Sequence, residues 1–159
     1  MVDRKPTRLL VGLGSYHGDD QVGWKLVEEL GKQSGTSMRQ AAIPADLLDW
    51  LSSIDELYIC DACQGTGEPG NLHRWEYQSN HQALDDFLPG VETLRSVNTH
   101  QLSLAATLSL ARSLQMLPRR IVVWGIEGKR FEPGQPISAE LADLLPGLIS
   151  QLARELDHA

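Results

Sequence analysis

The sequence predicts an α/β fold, a three-layer sandwich with a twisted, largely parallel central sheet flanked by helices. Three observations carry this. The runs at Arg8–Gly14, Leu57–Cys60 and Arg120–Ile126 are apolar without alternation, as strands buried on both faces are. Helical patterns fall between and after them, the arrangement that builds parallel sheets with short crossovers. The 159 residues are 42% hydrophobic and 22% charged, which suits one domain, residues 1–159, with a core large enough to fold unaided.

Each element has its own signal. After the first strand, residues 20–32 repeat Val22, Leu26, Val27 and Leu30 at helical spacing. Residues 38–43 read as a short second strand, and Pro44 opens a short helix in "PADLLDWLSS", where proline suits the first turn. "LYIC" is the next buried strand, and "DACQGTGEPGN" reads as loop. Residues 72–77 alternate Leu72, Arg74 and Glu76 with His73, Trp75 and Tyr77, the pattern of a half-exposed edge strand. Residues 99–114 form an alanine- and leucine-rich helix for which Thr99 is available as N-cap. The last strand follows, and residues 139–156 close the chain as a helix with Leu141, Leu144, Leu145, Leu148, Ile149 and Leu152 turned inward. Trp24, Trp50 and Trp124 are assigned to the core or its margin.

Composition excludes several functions. Lys and Arg number 14 against 21 Asp and Glu, a formal net charge of −7, and the bases form no stripe, so nucleic acid is not an expected partner. The start "MVDRKPTRLL" lacks an apolar signal region, and no run approaches the roughly 18 apolar residues that a membrane helix needs. A cytoplasmic location is expected. Cys60 and Cys63 are too few and too close for a secreted disulfide framework, which agrees with a reducing compartment.

In an open α/β sheet the ligand site lies beyond the carboxyl ends of the strands. That rule selects Asp19 and Asp20 after the first strand, Asp61 after "LYIC", and His100 if its helix starts at the same edge. Carboxylate oxygens and an imidazole meeting there suit a divalent transition metal, and a helix N-terminus favours the neutral imidazole that a metal needs. The simpler reading stands beside this: Asp19 or Asp20 as helix cap, Asp61 as a loop cap, His100 as a surface or capping residue. "GLGSYHG" misses the dinucleotide-binding spacing, because His17 stands where the third glycine belongs, and two acids at the helix start repel a phosphate. "CDAC" is nominally C-x-x-C, yet no second ligand pair is spaced to complete a zinc site, and Cys60 reads as a buried apolar residue. His73, His81 and His158 have no partner legible from the sequence.

Four segments in order, "GLGSYHGDDQVGWKLVEEL", "LYICDACQGTGEPG", "NTHQLSLAATL" and "IVVWGIEGKRFEPGQPIS", resemble the hydrogenase maturation endopeptidases across nearly the whole length. The resemblance implies an endopeptidase that removes a C-terminal extension from the large-subunit precursor of a nickel-iron hydrogenase. It also implies that Asp20, Asp61 and His100 are the nickel ligands and catalytic residues, with nickel arriving in the precursor and Asp19 supporting the site from behind. Ser15 stands where the family usually has Asn, Gln21 where Gly is common and Asp20 where some members have Glu. "AAIPADLL" lacks the family's usual Gly-Thr, and "GKRFEPGQPIS" is closest to members that serve soluble, cofactor-reducing hydrogenases. Two alternatives are a non-catalytic nickel-sensing chaperone or docking protein for the same precursor, and a small nucleotide-binding α/β protein.

Overall fold

The structure is a computed structural model that describes residues 3–65, 67–92 and 102–159. Its elements, in chain order, are β1 (Arg8–Leu13), a 3₁₀ turn (Gly18–Gln21), α1 (Val22–Ser34), β2 (Ser37–Ala41), a second 3₁₀ turn (Pro44–Asp49), β3 (Glu56–Cys63), β4 (Leu72–Gln78), α2 (Leu84–Val91), α3 (Leu104–Ser113), β5 (Arg120–Glu127) and α4 (Ala139–Asp157). The strands form one sheet in the order β2-β1-β3-β5-β4, parallel except for β4, which runs antiparallel to β5 at the edge. The predicted sandwich is the observed one.

Alternation along the strands divides the core into two layers. Leu9, Val11, Leu57, Ile59, Ile121 and Val123 face α2, α3 and the Pro44–Asp49 turn. Leu10, Tyr58, Cys60, Val122, Trp124 and Ile126 face α1 and α4. Close approach of α1 to the sheet depends on two glycines, since a Cβ on Gly12 would lie 2.4 Å from the Gly23 carbonyl oxygen, and one on Gly23 would lie 2.4 Å from that of Leu13. These two glycines therefore serve helix packing. Trp124 is fully buried and its indole donates to Glu155 (2.6 Å), while Trp24 donates to the Ala41 carbonyl (3.0 Å).

Three expectations need correction, and one helix was not foreseen. "DAC" is not loop: β3 continues through Cys63, because β5 remains paired with it as far as Cys63↔Glu127. Residues 84–91, which carry no clear sequence signal, form α2, whose Leu84, Phe87 and Val91 are buried. The cap of the alanine-rich helix is Ser103, whose side chain accepts from the Ala106 amide (3.0 Å); Thr99 lies outside the described residues. Leu144 is 44% exposed rather than turned inward, although the rest of the predicted α4 face is buried or packed against the core. Among the described residues no helix is long and apolar enough to cross a membrane.

Candidate active site at the β1–β3 switch point

β1 leads into α1 on one face of the sheet, and the chain leaving β3 returns to β5 by way of β4 and then α2 and α3 on the other face. A crevice opens where neighbouring strands send their connections to opposite faces. Pairing between β1 and β3 ends at Gly12↔Cys60, so the last three residues of β3 have only β5 beside them. The Gly18–Gln21 turn packs against β3 on the vacated side. Asp20 and Asp61 come together there.

The adjacent acids do different jobs because a 3₁₀ turn rotates successive side chains by about 120°. Asp19, 0% exposed, accepts from the main-chain amides of Lys129 (2.7 Å), Arg130 (3.0 Å) and Ser138 (2.6 Å) and from the Ser138 hydroxyl (2.8 Å). Burial acts to raise its pKa, and these four donors outweigh it, leaving the group below its ordinary value. Ser138 in turn caps α4, accepting from Leu141 (3.4 Å). Neither acid caps the first helix through its side chain. Asp19 clamps the loop between β5 and α4 to the loop after β1.

Gly18 makes that closure possible. Its φ is +57° and a Cβ would sit 2.4 Å from the Arg130 carbonyl oxygen, so no other residue fits without a shift of backbone.

Asp20 is held by Ser15, whose hydroxyl donates to Oδ2 (2.6 Å). Burial raises the Asp20 pKa, and the Ser15 hydrogen bond and the charge of His17 oppose part of the rise. Asp61 lies inside β3, opposite Gly125 of β5. Burial holds its carboxyl well above the ordinary range, the negative charge of Asp20 adds to this, and the Ala62 amide works against it. Among the described residues neither acid has an Arg or Lys ion-pair partner. Two desolvated carboxylates close enough for one to feel the other's charge form a site for a cation or a shared proton.

His100 lies outside the described residues. His17 is a histidine of the site that sequence reasoning passed over, treating it only as a break in a glycine pattern. Its Nδ1 is buried without a hydrogen-bond partner among the described residues. The signal that could have found it is position, since it lies three residues before Asp20 in a loop that must fold back onto the strand ends.

Comparison with known proteins settles the family. The profile of the hydrogenase maturation protease family (HycI) matches residues 25–155, most of the chain. The chain belongs to the hydrogenase maturation protease family. Its fold is shared with the hydrogenase maturating endopeptidase HybD from E. coli, at TM-score 0.74 and 21% identity over 95% of this chain and 92% of that one. The [NiFe] hydrogenase maturation protease HybD from Thermococcus kodakarensis matches at TM-score 0.67 and 19% identity over 94% and 97%. HycI from the same organism matches at TM-score 0.64 and 18% identity over 98% and 95%. No curated protein sequence matches significantly. The family match spans Asp61 and His100 and begins five residues after Asp20, so the placing of Asp20 in the site stands on the geometry above.

The fold of the protease also resolves the "CDAC" motif. Cys60 faces the α1 and α4 layer, and Cys63, three residues on, faces the other. They do not form a redox pair. Both are buried and neither is in a disulfide, and burial pushes the Cys60 thiol well above its ordinary pKa.

Proposed function

We propose that this protease removes a C-terminal extension from the nickel-loaded large-subunit precursor of a nickel-iron hydrogenase, with Asp20, Asp61 and His100 contacting the precursor's nickel. The observation that supports it is the pair of desolvated carboxylates at the switch point with no cationic side chain to neutralise them among the described residues. The donor set fits nickel, since carboxylate oxygens and imidazole both serve ions of that class. Family membership supports the peptidase chemistry.

Nickel here belongs to the substrate, and when bound it anchors the precursor tail and polarises groups beside it. The chain's own residues do the rest. Ser15 fixes the Asp20 carboxylate, and Asp19 fixes the turn that carries it. A carboxyl with raised proton affinity is a competent base near neutral pH. Whichever acid of the pair is not engaged by nickel takes a proton from water as the oxygen adds to the scissile carbonyl. It returns that proton to the amide nitrogen as the C–N bond breaks.

The test follows precursor mass after mixing it with the purified protein, nickel-loaded or nickel-free. Loss of a C-terminal peptide only from the loaded precursor is expected, and D20N, D61N and H100A are each expected to slow it at least 100-fold. Wild-type rates in all three would overturn the assignment. Binding of the loaded precursor without cleavage would make the chain a docking protein instead.

A further inference from the structure

We propose that Cys63, His73 and Glu127 form a second site, beside Asp61 on the same face of the sheet and with its own three donors, for a divalent ion of the zinc and nickel class. The three come from adjacent strands β3, β4 and β5. Cys63 and Glu127 are direct register partners, and His73 is opposite Gly125, two residues before Glu127. Gly125 adds no side chain between the strands at that level.

Their ligand atoms all lie within 4.8 Å of one another. Cys63 Sγ is 3.4 Å from Glu127 Oε2, and His73 Nε2 is 3.6 Å from the same oxygen. A tetrahedral ion with Zn–S near 2.3 Å and Zn–N and Zn–O near 2.0–2.2 Å separates its ligands by about 3.3–3.6 Å. The two gaps to Glu127 match those edges, and closing the third needs only a small turn of the partly exposed His73 ring. One thiolate, one imidazole and one carboxylate form a donor set of mixed softness, which calcium and magnesium do not favour and zinc and nickel do. Glu127 and Cys63 are 1% and 3% exposed, so two ligands are preorganised by packing, while the His73 side chain is 31% exposed and gives the ion a way in. A tetrahedral ion there takes one ligand beyond these three.

The inference does not rest on the proposed peptidase reading. The experiment uses full-length protein stripped by chelator, titrated with zinc chloride by calorimetry and with cobalt chloride by absorption, in wild type, in D20N and in D61N, the band being expected in all three. Expected is one ion that survives D20N, a thiolate-to-cobalt charge-transfer band, and at least tenfold weaker zinc binding in C63S, H73Q and E127Q. C60A, altered on the opposite face of β3, keeps the band. His73 is partly exposed, so H73Q remains informative if C63S fails to fold. Absence of the band in the wild type, or zinc affinity unchanged by H73Q and E127Q, overturns the site and leaves a hydrogen-bonded cluster. Neither result bears on precursor cleavage, which is read by mass.

Discussion

At the scale of single residues, adjacent aspartates have opposite electrostatics. Asp19 has four donors and a lowered pKa; Asp20 has one hydroxyl and a raised one. Removing Asp19 leaves two buried donors on Ser138 and amides on Lys129 and Arg130 without their acceptor, and each such loss costs about 1–3 kcal/mol. D19A is therefore expected to lose at least about 3 kcal/mol in urea unfolding, and D19N is destabilised too, because its Nδ2 sets a donor against at least one backbone N–H of Lys129, Arg130 or Ser138. Asp61 goes the other way. Two unpaired carboxylates oppose each other in the metal-free fold, so D61N is expected to raise the melting temperature in chelator at neutral pH while abolishing cleavage, by about 2–4 °C per kcal/mol of repulsion relieved. A lower melting temperature for D61N would show that the pair is not in conflict. That Asp20 and Asp61 meet was legible because both stand at neighbouring strand ends, where loops of an α/β fold converge. His73 and Glu127 were not, because their meeting depends on the register of three strands, which no local pattern encodes.

At the scale of elements, the long buried strands and α4 were legible because periodicity persists over enough residues to exclude alternatives. α2 was not. Its sequence, LDDFLPGV, has only two turns, and Pro89 and Gly90 read as turn residues. The helix forms because Leu84, Phe87 and Val91 find the α3 side of the core, and in so short a helix Pro89 forfeits a single backbone bond. The extension of β3 was missed for the opposite reason: "GTGEPG" made its neighbours look like loop, whereas pairing with β5 carries the strand through Cys63. α4 contains a position open to improvement. Gly147 lies mid-helix and exposed, and a Cβ added there would meet no atom within 4 Å. G147A is expected to stabilise the protein by about 0.5–1 kcal/mol, read as a shifted denaturation midpoint with unchanged slope.

At the scale of the molecule, charges respond to acid in two senses. Burial acts to raise the Glu76 pKa, but the hydrogen bond and charge of Arg120 and the charge of Arg74 bring it below its ordinary 4.5. A lowered folded-state pKa contributes stability above the unfolded value that disappears as pH falls through the folded one. Wild type is therefore expected to lose more melting temperature than E76Q between pH 5 and roughly pH 3. Equal losses would show that the Arg120 pair, 2.7 Å across, carries no net stability. Asp20 and Asp61 bind protons more tightly folded than unfolded, so they favour the native state as acid is added. Fold class and layer order were visible in the sequence because they follow from hydrophobic pattern; the balance between these opposed titrations was not, because it depends on which charges the sheet brings together.

The clamp around Asp19 spans 110 to 119 residues of chain. A ribosome that has made β1, β2 and β3 has already supplied Asp20 and Asp61, yet the turn that aims Asp20 acquires its donors only once Ser138 has been synthesised and α4 has docked. A nascent chain that stops short of Ser138 consequently carries both acids without the clamp that fixes their turn, and the proposed pair is aligned only after α4 has been made and docked.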